Sequence, residues 1–297
     1  MPLSATTVMI PELDLRETVE LLARLGFHGV EWRTRRIPDS KRNEPFSFWG
    51  NHKNDLTPER FLKEAHAIRK LCDDQNLRIV ALAPQARADQ LDEVKLLADA
   101  AAECSFCGPT GSAAVSGQSV MVRIGAPSGY DGSVPYPALY QQAVDAYGKA
   151  LEITRARRVK ILMEIHGGTI MVSASLAQRI LANFDPKEIG AIYDPQNMVM
   201  DGFETPQMGM ELLGPYLAHA HIGARRPLAS VPDAQGDVTW TWEGCPLAAG
   251  LLNMAALFKA FRAVGYRGYY SLEDFRPGPA EPKLRESLEY LKRIGAT

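Results

Sequence analysis

Four ionisable side chains each stand at the end of a short, mainly apolar run, where a buried β-strand is expected to stop. They are Glu164, Asp194, His221 and Glu273. A buried carboxylate is costly unless a cation or hydrogen-bond donors compensate its charge. Three carboxylates gathered around one imidazole would repel one another, and a divalent cation would supply the missing positive charge. An oxygen-rich set with one nitrogen suits Mn²⁺ or Mg²⁺ and is compatible with Zn²⁺, Co²⁺ or Fe²⁺.

The alternative for each of these residues is a structural role, either capping a neighbouring helix or pairing with an arginine. That interpretation explains one such residue more readily than it explains four of them at consecutive strand ends. The choice therefore depends on whether the fold brings the four ends together.

Eight short apolar segments alternate with helical segments, and no break in composition marks a second domain. This alternation predicts parallel strands joined by helices. Eight such units fit one α/β domain, a (β/α)8 TIM barrel over residues 1–297. An open doubly wound sheet is the alternative, but the Gly-rich turn it usually carries after strand one is missing here. The predicted strands are residues 6–10, 27–32, 77–83, 119–124, 159–166, 189–194, 216–222 and 268–273.

Strand alternation predicts which side chains share a face of the barrel. Because alternate residues of a strand point the same way, Glu164 shares its face with His166, and His221 with His219. The active site of a barrel lies at the carboxyl ends of its strands. If these faces point inward, strands five to eight deliver three carboxylates and an imidazole to one rim. Extended polar loops follow strand two, at residues 33–56, and strand seven, at residues 223–246.

The composition excludes several classes of function. The net charge of −2 argues against a broad surface for nucleic acid. No apolar run approaches membrane-spanning length and the first residues lack a secretory signal, so we expect a cytoplasmic protein. Four cysteines in so long a chain are not a disulfide framework. Cys104 and Cys107 form a lone C-x-x-C at the start of a Gly- and Ser-rich insertion, residues 104–118, with no second pair to complete a metal site.

Four segments carry a family resemblance. The sequences LMEIH (162–166), IYDPQN (192–197), AHAHI (218–222) and YSLEDF (270–275) resemble the xylose isomerase-like barrel family. This family includes sugar epimerases, keto-sugar and inositol-pathway isomerases, and AP endonucleases. The resemblance starts at GVEW (29–32) and spans most of the chain. Its motifs are specific for the superfamily and poor for the substrate.

The resemblance implies roles for the four side chains at the strand ends. Glu164, Asp194, His221 and Glu273 would bind one divalent ion, with Mn²⁺ favoured. Glu164 and Glu273 would also be the catalytic acid and base, on opposite sides of the substrate. The ion would bind two substrate oxygens and acidify the C–H between them, so that one glutamate removes the proton and the other returns it through an enediolate.

Further residues near the expected rim are candidates for substrate binding. They are His166, Arg226, Asn197, Trp49 and His52. By the resemblance, His166 would hydrogen-bond a substrate hydroxyl. Arg226 follows His221 closely and could bind an oxygen or a carboxylate, with Arg225 less favoured because parity does not settle a loop. Asn51 and Arg123 are outside candidates, whereas His28, His66 and His219 are expected to be structural.

Four tryptophans are expected near the barrel mouth, and aromatic walls suit a sugar face or a flat aglycone ring. They are Trp32, Trp49, Trp240 and Trp242. Covering the barrel top or forming a subunit contact is the alternative role for them.

These observations leave four hypotheses. The first is a metal-dependent isomerase or epimerase of a small sugar or keto-sugar, homo-oligomeric as its relatives often are. The second is a lyase that cleaves a 3-keto-glycoside or C-glycoside, which the aromatic loops favour and which in some relatives works with a small second subunit. An AP endonuclease is disfavoured, because Gln196 and Asn197 stand where many relatives carry a histidine. A non-catalytic barrel is opposed by the intact Glu164 and Glu273.

Overall fold

A closed barrel of eight parallel strands forms the centre of the protein in a computed structural model that describes residues 1–105 and 119–296. Each strand pairs with its neighbours in chain order, and the last pairs with the first. The barrel strands are β1 (Leu3–Thr6), β2 (Gly29–Arg33), β3 (Arg78–Ala83), β4 (Met121–Arg123), β5 (Ile161–Glu164), β6 (Ile189–Tyr193), β7 (Leu217–Ile222) and β10 (Tyr270–Leu272). The predicted (β/α)8 TIM barrel is confirmed.

Helices join successive strands, and several begin with a capping side chain. Asp14 and Glu17 form a capping box, with Glu17 N donating to Asp14 Oδ1 at 2.9 Å and Asp14 N donating to Glu17 Oε2 at 2.8 Å. Within the described ranges, no helix has the length and apolarity needed to cross a membrane. The described helices are α1 (Leu15–Arg24), α2 (Pro58–Asp73), α3 (Leu91–Ser105), α4 (Tyr136–Arg155), α5 (Ala174–Leu181), α6 (Pro195–Asp201), α7 (Pro206–Leu213), α8 (Met254–Ala263) and α9 (Ala280–Arg293).

The buried apolar side chains form two separate groups. The larger group includes Met163 of β5 and joins the sheet to the helices. A small second group contains Leu162, which has the opposite orientation to Met163 because successive residues of a strand point to opposite faces. The members of this small group are Val80, Ala81, Met121, Leu162 and Ile192. They fill the barrel interior below the ends of the strands and form a floor for the site.

The structure differs from the sequence-based expectations at the first strand and in the second long loop. The first strand ends at Thr6, and Thr7–Met9 form a 3-10 turn in place of the strand expected over residues 6–10. This apolar run is buried in either conformation, so hydrophobicity alone does not distinguish them. The polar segment after β7 contains an antiparallel hairpin, β8 (Arg225–Ala229) and β9 (Trp240–Gly244).

The expectation that Trp32 lies at the mouth is wrong, since its side chain is fully buried in the larger apolar group. Alternation along β2 explains this, because Glu31 faces the barrel interior and Trp32 therefore faces outward.

Of the cysteine pair, the structure describes Cys104 alone. Cys104 is buried near the end of α3, where its Sγ lies 3.6 Å from Ala65 O and burial raises the pKa of its thiol to about 12. A buried, protonated thiol is a poor nucleophile and a poor metal ligand. Cys107 and most of the insertion predicted at residues 104–118 lie outside the described residues.

Candidate active site

The four side chains predicted as metal ligands come together at the carboxyl ends of β5, β6, β7 and β10. His221 Nδ1 lies 3.1 Å from Glu164 Oε1, 3.4 Å from Glu273 Oε2 and 3.6 Å from Asp194 Oδ2. Each residue offers one ligand atom, and these four atoms all lie within 4.8 Å of one another. All four side chains are buried. Consecutive parallel strands present their ends at the same rim, which is why residues so far apart in sequence meet here.

Two residues of α6 hold the carboxylates in place. Asp194 caps this helix, accepting a hydrogen bond from Asn197 N at 3.1 Å and one from Asn197 Nδ2 at 2.5 Å. Gln196 Nε2 donates to Glu273 Oε2 at 2.6 Å. A Cβ on Gly223 would lie 2.4 Å from both Gln196 Oε1 and the backbone Glu273 O, so only glycine allows this close approach. The structure thus places Asn197, expected at the substrate, against a carboxylate of the site.

The electrostatics of this group depend on one imidazole. Burial alone would lower the pKa of His221, but the charges of Glu273 and Glu31 and its contacts with Asp194 and Glu164 raise it well above its ordinary value. The carboxylates around His221 thus favour its charged form.

The two glutamates have pKa values that move in opposite directions. Burial acts to raise the pKa of Glu164, but Arg123 and His221 outweigh it and bring the pKa below its ordinary value. Arg123 Nε donates to Glu164 Oε2 at 2.6 Å. The pKa of Glu273 is raised, by burial first and then by the negative charges of Asp194 and Glu164, against the effect of His221. Two carboxyl groups whose pKa values differ in this way suit one general acid and one general base.

The donor set fits a divalent ion. His221 Nδ1 is buried and forms no hydrogen bond within the described residues, although it faces three carboxylates. A cation among these atoms would attract the three carboxylates and so offset their mutual repulsion. It would also accept the unpaired His221 Nδ1 as a ligand. Three carboxylate oxygens and one imidazole nitrogen match the preferences of Mn²⁺ and Mg²⁺.

Glu31 of β2 reaches this site from the opposite side of the barrel. Its Oε2 lies 3.0 Å from His219 Nε2 and 3.2 Å from His221 Nε2. Strands β1 and β10 separate β2 from β7 in the sheet, so this contact must cross the interior. Burial acts to raise the pKa of Glu31, yet His221 and His219 bring it well below its ordinary value. An ionised Glu31 bound to Nε2 turns His221 Nδ1 toward the three carboxylates.

Glu31, His219 and His221 also satisfy the distance criterion for a metal site. They supply a single carboxylate, whereas the rim group supplies three, so the rim group offers the stronger attraction for a divalent cation. We therefore assign Glu31 and His219 to orienting His221. From the sequence alone, Glu31 is expected at a strand end with no assigned role, and His219 is expected to be structural.

Replacing Glu31 by Gln is expected to weaken Mn²⁺ binding about ten- to a hundred-fold, because a neutral amide holds the His221 imidazole less firmly. Calorimetric titration of chelator-treated protein with Mn²⁺ measures the affinity. Glu44→Gln is the control, since the Glu44 side chain pairs with Lys41 on the surface and its loss should leave the affinity unchanged. An unaltered affinity in folded Glu31→Gln protein would show that Glu31 does not orient the ligand.

The predicted substrate-binding residues separate into two groups. His166 is exposed at the rim, two residues past Glu164, with Nδ1 2.8 Å from Gly167 O. Trp49 has 59% of its surface exposed and packs on Phe275, with ring centroids 5.1 Å apart, just beyond Glu273. These two residues therefore border the mouth.

His52 and Arg226 are engaged elsewhere in the described part of the chain. His52 is buried with Nε2 2.8 Å from Thr7 O, and burial together with nearby Arg33 lowers the pKa of its imidazole to about 3. The Arg226 guanidinium forms an ion pair with Glu243 across the β8–β9 hairpin and is half-exposed. Neither side chain contacts the four-residue group.

Three arginines near the site were not predicted as main site residues from the sequence. Arg123 was an outside candidate, while Arg33 and Arg35 were given no role. Arg33 lies two residues after Glu31 on β2 and shares its face, so strand alternation could have identified it. Arg35 lies in the following loop, where alternation gives no guidance.

Comparison with known proteins agrees with this architecture. A family model described as xylose isomerase-like TIM barrel matches residues 19–294. Among solved structures, 3-keto-D-glucoside 4-epimerase from E. coli has 14% identity and a TM-score of 0.67, with 99% of each chain covered. D-psicose 3-epimerase in the presence of D-fructose has 13% identity and a TM-score of 0.67, with 100% of each chain covered.

A third similar structure is a xylose isomerase-like TIM barrel protein from Mycobacterium smegmatis in complex with magnesium. It has 15% identity and a TM-score of 0.64, with 99% of this chain and 96% of that chain covered. At such identities the likeness establishes the fold and not the substrate. No curated protein sequence matches the chain. Because the family model covers most of its length, this chain belongs to the xylose isomerase-like TIM barrel family.

Proposed function

We propose that the protein is a divalent-metal-dependent isomerase or epimerase of a small sugar or keto-sugar. The observation that carries this proposal is the buried group at the barrel mouth, in which three carboxylates surround His221 Nδ1. Family membership supports it, as do the two similar structures that are epimerases of a keto-glucoside and of psicose. Mn²⁺ is our choice of ion, because the set is rich in oxygen and contains one nitrogen.

In this proposal the ion is held by Glu164, Asp194, Glu273 and His221 Nδ1. When bound, it would supply Lewis acidity that makes the C–H beside a substrate carbonyl easier to deprotonate. Glu31 keeps the Nδ1 lone pair directed at the site through its contact with Nε2. The floor of apolar side chains below excludes water from beneath the substrate and strengthens electrostatic interactions in the site.

Proton transfer falls to the two glutamates. Glu164 is ionised and its Oε2 is fixed by Arg123, so Oε1 faces the site. Glu273 has the raised pKa and is the group that more readily carries a proton. In one direction Glu164 removes the proton and Glu273 returns one to the neighbouring position or to the opposite face; in the other direction their roles exchange.

The test of this function is proton exchange with solvent. Mn²⁺-loaded protein incubated in deuterated water with a panel of ketoses and 3-keto-glucosides should replace one substrate C–H by C–D, and the change is read by NMR. The exchange should disappear after chelation and return with Mn²⁺. A folded, metal-loaded protein that exchanges no C–H across the panel would contradict the proposed activity.

A second candidate activity is elimination from a 3-keto-glycoside or C-glycoside by the same acid and base. The observation that favours it is an aromatic wall in which Phe48 and Trp49 both pack on Phe275, with ring centroids 5.3 and 5.1 Å from that of Phe275. Such a wall suits a flat aglycone ring. Release of free aglycone from an oxidised glycoside would support this activity, and exchange without release would support the isomerase.

A further inference from the structure

Arg33 is a buried cation whose hydrogen-bonding capacity is largely unused. Its side chain is 1% exposed, and alternation along β2 directs it into the barrel on the same face as Glu31. Within the described residues, Nε and Nη1 form no hydrogen bond, and Nη2 donates only to Gly50 O at 3.3 Å. A buried guanidinium is normally paired, because each unsatisfied charged donor is costly. Its two unpaired nitrogens therefore remain available to a ligand.

Two more arginines are held beside it at the carboxyl end of β3. Arg35 Nε donates to Ala83 O at 3.3 Å, and Arg123 Nη1 donates to the next carbonyl, Pro84 O, at 3.0 Å. Ala83 pairs with Arg33 in the sheet. Arg33, Arg35 and Arg123 are thus gathered around the carboxyl ends of β2, β3 and β4.

Like Arg123, Arg35 is a member of this group that solvent reaches. It is half-buried, and its guanidinium lies 5.1 Å from the centroid of the exposed Trp49 ring at the mouth. Its terminal nitrogens form no hydrogen bond within the described residues, whereas Arg123 is committed to Glu164. A ligand entering the mouth would therefore contact Arg35 before it contacts Arg33.

Neither Arg33 nor Arg35 forms an ion pair with a carboxylate within the described residues. With a divalent ion bound, five positive charges on the ion and the three guanidinium groups would face four buried carboxylates, namely Glu31, Glu164, Asp194 and Glu273, and the partly exposed Asp55 near Arg33. The pKa of Arg35 is lowered to about 9, by burial first and then by Arg123 and Arg33, against the effects of Glu164 and Glu273. Burial likewise lowers the pKa of Arg33 to about 10, against the effect of Asp55. Both groups are charged at neutral pH, and an anion beside them would offset the cost of that charge.

We propose that Arg33 and Arg35 bind an anionic oxygen group of the substrate, a carboxylate or a phosphate, beside the metal site. Guanidinium groups bind both kinds of oxyanion through paired hydrogen bonds. The proposal rests on the proposed function only in calling the ligand a substrate. It makes the substrate a sugar acid or a sugar phosphate and not a neutral ketose.

The test compares three non-reacting polyols by calorimetry on Mn²⁺-loaded protein: glucitol, gluconate and glucitol 6-phosphate. We expect at least one anion to bind about ten-fold or more tightly than glucitol, as charge-assisted hydrogen bonds require. Preference for gluconate identifies a carboxylate site, and preference for glucitol 6-phosphate identifies a phosphate site. Equal binding of all three, or no binding of either anion, would overturn the proposal.

Variants at neighbouring positions identify the responsible side chain. Arg35→Gln should weaken binding of the preferred anion about ten- to a hundred-fold and leave glucitol unchanged, while Arg35→Lys should restore part of the loss. Arg36→Gln is the matched control, because Arg36 pairs with Glu59 and Glu93 on the surface and should have no effect. If Arg35→Gln weakens glucitol and the anions equally, or neither of them, Arg35 does not bind the anionic group.

Binding of these polyols requires no turnover. Absence of proton exchange together with selective anion binding would contradict the proposed isomerase and leave the anion site standing. If neutral ketoses exchange a C–H as efficiently as their anionic counterparts, and Arg35→Gln does not alter that exchange, the anion site is contradicted and the proposed isomerase stands.

Discussion

Glu164→Gln is expected to lower kcat about 10³- to 10⁴-fold, the range associated with loss of a positioned general base. The amide cannot accept the substrate proton, and its neutral oxygen is also a weaker metal ligand. Initial rates of solvent exchange or epimerisation at saturating Mn²⁺ measure the loss, and the excess ion separates the effect on proton transfer from the effect on metal affinity.

The control for this variant is Glu188→Gln. Glu188 also pairs with an arginine, Arg155, but it stands just before β6 at the opposite end of the barrel. Its replacement should leave kcat within about two-fold, as expected for a surface ion pair far from the site. Full activity in Glu164→Gln would exclude this residue as the base and would break the mechanism.

Removal of the ion is expected to abolish turnover and to lower the melting temperature. The ion would bind the folded protein alone, so at a hundred times its Kd it would stabilise the fold by about 2.7 kcal/mol. For a chain of this size that corresponds to a melting temperature several degrees higher. Chelation followed by stepwise addition of Mn²⁺ should recover activity and thermal stability over the same concentration range.

The control for metal removal is His221→Ala, which takes away the nitrogen of the proposed ligand set. This variant should need much more Mn²⁺ for both recoveries, with activity partly regained at high concentration. Activity that persists in thoroughly chelated protein, or that returns without any change in melting temperature, would separate the reaction from the ion.

The sequence was sufficient to predict the barrel and the four-residue group, because both depend on strand order. Asp194 and Glu273 could be placed because each ends a strand, and the ends of parallel strands meet at one rim. Glu31 shows the limit of that reasoning. Alternation turns it inward, but its contact with His221 depends on which strands face each other across the closed barrel, and the shear of the sheet decides this.

Loop residues could not be placed from the sequence. His52 lies against Thr7 O and Arg226 pairs with Glu243, and both arrangements depend on tertiary contacts of long loops, where no periodicity applies. Trp49 did reach the mouth, because Phe275 provides a ring to pack against. The first strand was misplaced because the run through Ile10 is apolar and buried, and such a run can form either a strand or a turn.

Glu164, Asp194, His221 and Glu273 are proposed to bind one divalent ion. Anomalous diffraction from crystals of the Mn²⁺-restored protein, recorded on both sides of the manganese absorption edge, tests this proposal most directly. We expect a single strong peak among the three carboxylates, about 2.0–2.3 Å from His221 Nδ1 and from one oxygen of each acid. No peak at this position, or a peak held by Glu31 and the Nε2 atoms of His219 and His221, would contradict the account.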